Sequence, residues 1–221
     1  MLHDPTSMVK TLDAINEKFL YGEAIPQNEA LEAAQWISSQ QGKKGSYRGL
    51  FAPTAFDFEQ GMRVFTGERL VSASARHIMG QEAARAAWLL GHNDPMVREA
   101  YNLATGWMRE GVEFRETGTF CCTRCTLAYW RHIWAGDFID KEGAVQKGLD
   151  VMKDYRTEDG RWRTFPFFYA VYTLLELDLD RASEELIYAR PAMERSFRIS
   201  KGGMYGRRRQ VIFEKALNRV S

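Results

Sequence analysis

Apolar positions recur at helical spacing along nearly the whole chain, and no stretch alternates Val, Ile or Thr between hairpin-turn residues. The pattern predicts an all-α protein with helices over about 7–20, 27–39, 53–65, 71–90, 95–110, 121–135, 140–155, 164–177, 181–197 and 206–219. Breakers support the divisions. Pro26 precedes Asn28, Asn93 precedes Pro95, Gly136 precedes Asp140, and Gly91 follows a Leu-Leu pair.

Two kinds of helix alternate. KEGAVQKGLDVMKDYR (141–156) has one apolar stripe, whereas TFPFFYAVYTLLEL (164–177) is apolar nearly all round and must be buried on all sides. Ahead of several apolar helices a glycine stands two residues before an aromatic: Gly45-Ser-Tyr47, Gly118-Thr-Phe120, Gly160-Arg-Trp162 and Gly203-Met-Tyr205. The aromatics are 73, 42 and 43 residues apart. The two shorter intervals each equal one helical hairpin, and the longer has room for another, whose inner helix follows Gly67. About five hairpins then account for residues 1–221 as a single domain, an α/α toroid with parallel apolar helices inside and amphipathic helices outside. The ring is open or is completed by a second copy of the chain.

The segments WISSQQGKKGSYRGLFAPTAFDFEQGMRVF and MKDYRTEDGRWRTFPFFYAVYTLLELD resemble repeats of the terpenoid cyclase and protein prenyltransferase β-subunit superfamily, in which an outer helix joins an inner one through a Gly-x-aromatic loop. Trp36, Gln40 or Gln41, Gly45 and Tyr47 resemble a loose form of the cyclase QW motif. The resemblance spans about 180 residues and implies a toroid with an apolar central cavity for an isoprenoid-like or other apolar molecule. It does not extend to the family's catalytic residues. In place of the cyclase Asp-x-Asp-Asp motif the chain has only Asp178-Leu-Asp180, and the Asp-x-Cys of the prenyltransferase zinc site is absent.

Composition adds limits. The chain has 221 residues, 45% of them hydrophobic and 27% charged, within the globular range. Its longest apolar run, Phe165 to Leu177, is 13 residues, short of the roughly 20 that span a membrane. The N-terminus lacks the apolar stretch of an export signal, and three cysteines cannot make a complete disulfide framework, so a cytoplasmic protein is expected. The net charge of +1 conceals a split, because residues 190–221 carry nine Lys/Arg (Lys201 and Arg207 to Arg209 among them) against Glu194 and Glu214. Apart from this basic end nothing favours a nucleic-acid partner, and none is expected.

Parallel inner helices would bring their N-termini to one mouth, collecting residues distant in sequence. Asp57, His77, Cys122 and Cys125 are the candidates for catalysis there, and the same four could ligate zinc, which takes four Cys, His or carboxylate ligands. Cys122-x-x-Cys125 falls on the first turn of a helix, where free amide groups favour a thiolate. His77 would handle protons near neutral pH. Tyr47, Arg76, Phe165, Phe168, Tyr169 and Arg207 are the candidates for ligand binding, the aromatics lining a well and the arginines meeting a diphosphate if the ligand carries one. Glu82 is expected in an ion pair with Arg85 or Arg76, and Arg131 or His132 at the far end of the barrel. No Walker A, GxGxxG, GxSxG, HExxH or EF-hand motif occurs. The leading expectation is a prenyltransferase- or cyclase-like toroid. Its alternatives are a toroid that only binds a ligand or protein, and a thiol-dependent enzyme using Cys122 or Cys121 with His77 as base.

Overall fold

The computed structural model describes residues 2–111, 113–199 and 202–221; Lys201 of the basic segment lies outside them. The protein is all-α, and among the described residues no strand occurs, only isolated bridges in loops. The helices are α1 Met8–Tyr21, α2 Gln27–Ser38, α3 Ala55–Gln60, α4 Ser72–Gly91, α5 Pro95–Glu110, α6 Glu113–Thr117, α7 Thr123–Ala135, α8 Lys141–Lys153, α9 Phe167–Glu176, α10 Asp180–Ile199 and α11 Gly203–Arg219. Local chemistry fixes their ends. The Ser7 hydroxyl accepts from the Lys10 amide at the start of α1, and the Asp94 carboxylate accepts from the Val97 amide beside Pro95 at the start of α5.

The glycines of the Gly-x-aromatic repeat all have positive φ. Gly45, Gly118, Gly160 and Gly203 have φ of 100°, 67°, 80° and 67°, a region that other residues enter at a cost. At Gly118 space also forbids a side chain, since a Cβ would lie 2.2 Å from the Ala144 carbonyl oxygen and 2.3 Å from the Gly148 nitrogen. The junction before α7 therefore lies directly on α8. Trp130 of α7 pins it there by donating to the Gly118 carbonyl at 2.7 Å.

The helix expected over 53–65 is the main departure. Only α3 forms, because Thr54 and Asp57 make a capping box at its start and Gly61 (φ 76°, ψ 136°) turns the chain out. Residues 62–70 then fold back on themselves through a bridge between Arg63 and Arg69. Met62, Val64 and Phe65 are buried, so the apolar pattern marked core there without marking helix. The short α6 was not expected either.

Helix contacts run from α1 to α4, α4 to α7, α7 to α9, α9 to α11 and α11 back to α1, with α2, α5, α8 and α10 packed against members of this cycle. Thus α1 holds the place expected for 53–65, and among the described residues these contacts return from α11 to α1. Glu82 and Gln81 of α4 meet Arg131 and His132 of α7, while His77 meets Cys125 further back on both, so α4 and α7 run in the same direction. Glu82 and Arg85 meet Tyr169 and Glu176 of α9 in the same order.

The middle of the cycle is polar and filled. Arg131 is 1% exposed. Its Nε lies 3.0 Å from Glu82 and its Nη2 lies 3.2 Å from Glu176 and 2.9 Å from the Asn16 Oδ1 that it donates to. Its guanidinium sits 4.0 Å from the Tyr172 ring centroid. Burial alone would lower the pKa of Arg131, but Glu176 and Glu82 more than offset this and keep the cation charged. Arg85 donates to Glu176 at 2.9 Å, and the Tyr169 hydroxyl donates to Glu82. A void of about 10 Å³ between Val64, Phe65, Asn16, Met79 and Glu82 has room for a single water. The apolar central well expected from the sequence is thus replaced by an ionic network. The last helix joins α1 through Arg208, 2% exposed and 2.9 Å from Asp13.

Truncating Arg131 to Met should cost about 3–5 kcal/mol, because Glu82 loses its buried counter-charge. Urea unfolding measures this, and adding Glu82→Gln should recover part of the loss. A change under about 1 kcal/mol would show that the network is not a stability determinant.

Candidate metal centre

The loop that carries the thiols is held in place by one hydroxyl. The Thr126 side chain donates to the Cys122 carbonyl at 2.9 Å and accepts from the Phe120 amide at 2.9 Å, folding residues 120–122 over the first turn of α7. Cys122, the N-cap, is extended (φ −159°, ψ 167°), so the chain enters the helix abruptly. Cys121 and Cys122 are exposed, and Cys125, one turn inside, is buried.

His77 reaches this loop from the neighbouring α4. Its Nδ1 lies 3.1 Å from Cys121 Sγ and 3.7 Å from Cys125 Sγ, and the three atoms all fall within 4.8 Å of one another. The Tyr47 ring covers the imidazole with centroids 3.7 Å apart, and Phe120 meets it edge-on at 5.9 Å. Burial lowers the His77 pKa against a raising influence of Cys122, and Arg48 lowers it further. At neutral pH His77 is therefore an uncharged imidazole with a lone pair to offer.

The thiols are unequal. The Cys125 thiol, donating to Cys122, together with the free amides of Cys125 and Arg124 at the helix start, holds the Cys122 pKa down to about 5, against burial. That donation to Cys122, and burial, push Cys125 up. Burial likewise raises Cys121.

Several sequence-predicted site residues fall elsewhere. Asp57 is neither ligand nor acid here. It is 2% exposed, and its oxygens accept from the Ser7 hydroxyl (2.5 Å) and from the amides of Met8 (2.8 Å), Val9 (3.3 Å) and Thr54 (2.9 Å), capping α1 and α3 together. Cys122 stands beside the Cys–His group, and Cys121 takes the place in it that was expected for Cys122. Arg76 is exposed, with its guanidinium 5.5 Å from the Phe58 ring, and Arg207 is exposed on α11. Phe165 packs on Trp130 and Tyr155, Phe168 lies under the Arg209 guanidinium and beside Phe213, and Tyr169 belongs to the Glu82 network, so these three do not line a well. His132 is buried between Gln81 (3.2 Å) and the Tyr101 hydroxyl (3.1 Å), and burial drives its pKa down to about 3. Tyr47 is the one ligand-binding candidate that joins the cluster. Arg48 and Phe120 beside it were not singled out for a site role, although Arg48 follows the candidate Tyr47 and Phe120 is the repeat aromatic just before Cys121.

No protein-family model, curated protein or solved structure matches the chain.

In metal-free protein, Cys122 should react with iodoacetamide at a rate that is flat above about pH 6 and falls tenfold per unit below about pH 5, since its thiolate persists until it is protonated near pH 5. Cys121 and Cys125, pushed upward, should stay largely unmodified at pH 7. Peptide mapping after timed alkylation reads all three. A Cys122 rate that climbs tenfold per unit through pH 7–8 would mean an ordinary thiol, with a pKa of about 8.5.

Proposed function

We propose that this protein is a zinc-binding α/α-toroid protein, with one ion held by Cys121 Sγ, Cys125 Sγ and His77 Nδ1. The observation that carries the reading is the convergence of these three donors, from α4, α7 and the loop before α7, within 4.8 Å. Around tetrahedral zinc, sulfur and nitrogen ligands lie about 3.6 Å apart, from bonds of about 2.3 and 2.0 Å. The Cys125 to His77 separation of 3.7 Å agrees, and the 3.1 Å to Cys121 would open by about half an ångström. Thiolate and imidazole together favour zinc over the hard cations. Three protein ligands leave a fourth position for water or a substrate, the arrangement of catalytic rather than structural zinc, where the ion polarises a bound oxygen. The toroid reading is supported by the closed cycle of helix contacts and by the same-sense run of α4, α7 and α9. It is the architecture that the resemblance to the terpenoid cyclase and prenyltransferase superfamily implies, without that family's acid or zinc motifs.

A second reading, a thiol-dependent enzyme, is favoured by the exposed Cys122 at the N-cap of α7. Elemental analysis of protein purified without chelator separates the two. The expected result is close to one zinc per chain, lost in His77→Ala, Cys121→Ser and Cys125→Ser and kept in Cys122→Ser, with unchanged helical circular dichroism throughout. Protein that takes up no zinc even after reconstitution, or variants that bind it as well as the parent, would overturn the metal centre and leave the thiol reading.

A further inference from the structure

A pocket of about 260 Å³ opens beside the cluster, lined by Tyr47, Arg48, Phe114, Thr119, Phe120 and Cys121. Phe114 and Phe120 are stacked at 4.7 Å and 24°. Phe120, buried, also has Tyr129 stacked on it at 5.8 Å, so the ring edges of the pair and the half-buried Phe114 are what the pocket offers a flat ring.

Arg48 differs in kind from these rings. It is exposed and has a φ of 47°, a left-handed state that costs a non-glycine residue free energy and gathers at functional sites. Gly45 and Gly49 at φ 100° and 80° flank it in the same loop. Its guanidinium lies 5.2 Å from the Trp107 ring centroid and 5.8 Å from that of Tyr47. Among the described residues no carboxylate pairs with it and no acceptor takes its N–H groups. A guanidinium resting on aromatic rings keeps its N–H edge for a planar oxyanion, which it grips with two parallel bonds. Lys43 and Lys44, exposed in the same loop, add positive potential.

Size narrows the choice. The volume is below the roughly 300–1,000 Å³ of sites for drug-sized molecules and suits a small molecule of one ring. We propose that this pocket binds a small aromatic oxyanion, with the ring against Phe114 and Phe120, the oxyanion on Arg48, and the bound molecule next to Cys121. On the zinc reading, and resting on it for this step alone, the ligand would lie beside the ion as its substrate or product.

Isothermal titration of metal-free and zinc-loaded protein with benzoate, phenyl phosphate and phenol tests this. Benzoate or phenyl phosphate should bind both forms, and the tighter of the two identifies a carboxylate or a phosphate ester as the natural group. Arg48→Gln should weaken that binding at least tenfold while leaving phenol binding and zinc content unchanged. Failure of both anions to bind, or equal binding to Arg48→Gln, would overturn the pocket even where zinc is present. Binding that depends on Arg48 in protein that takes no metal would uphold the pocket and reject the metal centre. In cobalt-substituted protein the anion should shift the visible d–d bands, and an unshifted spectrum at saturation would remove the placement beside the ion.

Discussion

A guanidinium buried in the middle of a helical protein needs counter-charge, and Arg131 draws its partners from three helices besides its own. Glu82 comes from α4, Glu176 from α9 and Asn16 from α1, with Tyr172 beneath the cation. An unpaired charge at that depth would cost several kcal/mol, so these helices must approach in the one arrangement that places all the partners together. Apolar contacts tolerate sliding far better than such a set of hydrogen bonds does. The ionic centre therefore sets register, while the surrounding aliphatic and aromatic side chains supply the favourable burial.

That register also builds the candidate site. His77 precedes Glu82 by five residues on α4, and Cys125 precedes Arg131 by six on α7. At about 1.5 Å per residue, the two separations are about 7.5 and 9 Å, close enough that pairing Glu82 with Arg131 on parallel helices brings His77 opposite Cys125. Imidazole and thiols thus meet because charged groups further along the same helices are matched. A similar economy links the chain's ends. The basic last helix and the acidic remainder are drawn together where Arg208 of α11, buried, meets Asp13 of α1. The charge split read from the sequence is in part the closure of the helix cycle.

What the sequence discloses depends on how local the cause is. Helix limits and the repeat glycines were legible because caps and positive φ act over a few residues, and each leaves its own residue type behind. The 53–65 stretch misled because burial and helicity have the same apolar signature when Gly61 alone decides between them. Asp57 looked like a free acid because the amides and hydroxyl that consume it at residues 7–9 are some fifty positions away. Choosing Cys122 over Cys121 failed for another reason. Both thiols sit at the same mouth, and the extended backbone at Cys122 decides which of two adjacent side chains faces His77. Neighbours on an extended segment point to opposite sides, and spacing rules cannot say which side is which.

The filled centre has a consequence for where chemistry can occur. The helices α1, α4, α7 and α9 meet around Arg131, Glu82 and Glu176, and these side chains fill the space that an apolar ligand would need. The rim that carries the thiols is also the N-terminal end of α4, α7 and α9, since these run in the same direction. Free amide groups and helix dipoles make such an end favourable to thiolate and to oxyanion alike, and Arg48 lies beside it. The free amides that help the Cys125 thiol keep Cys122 ionised would also attract an anionic ligand toward this end.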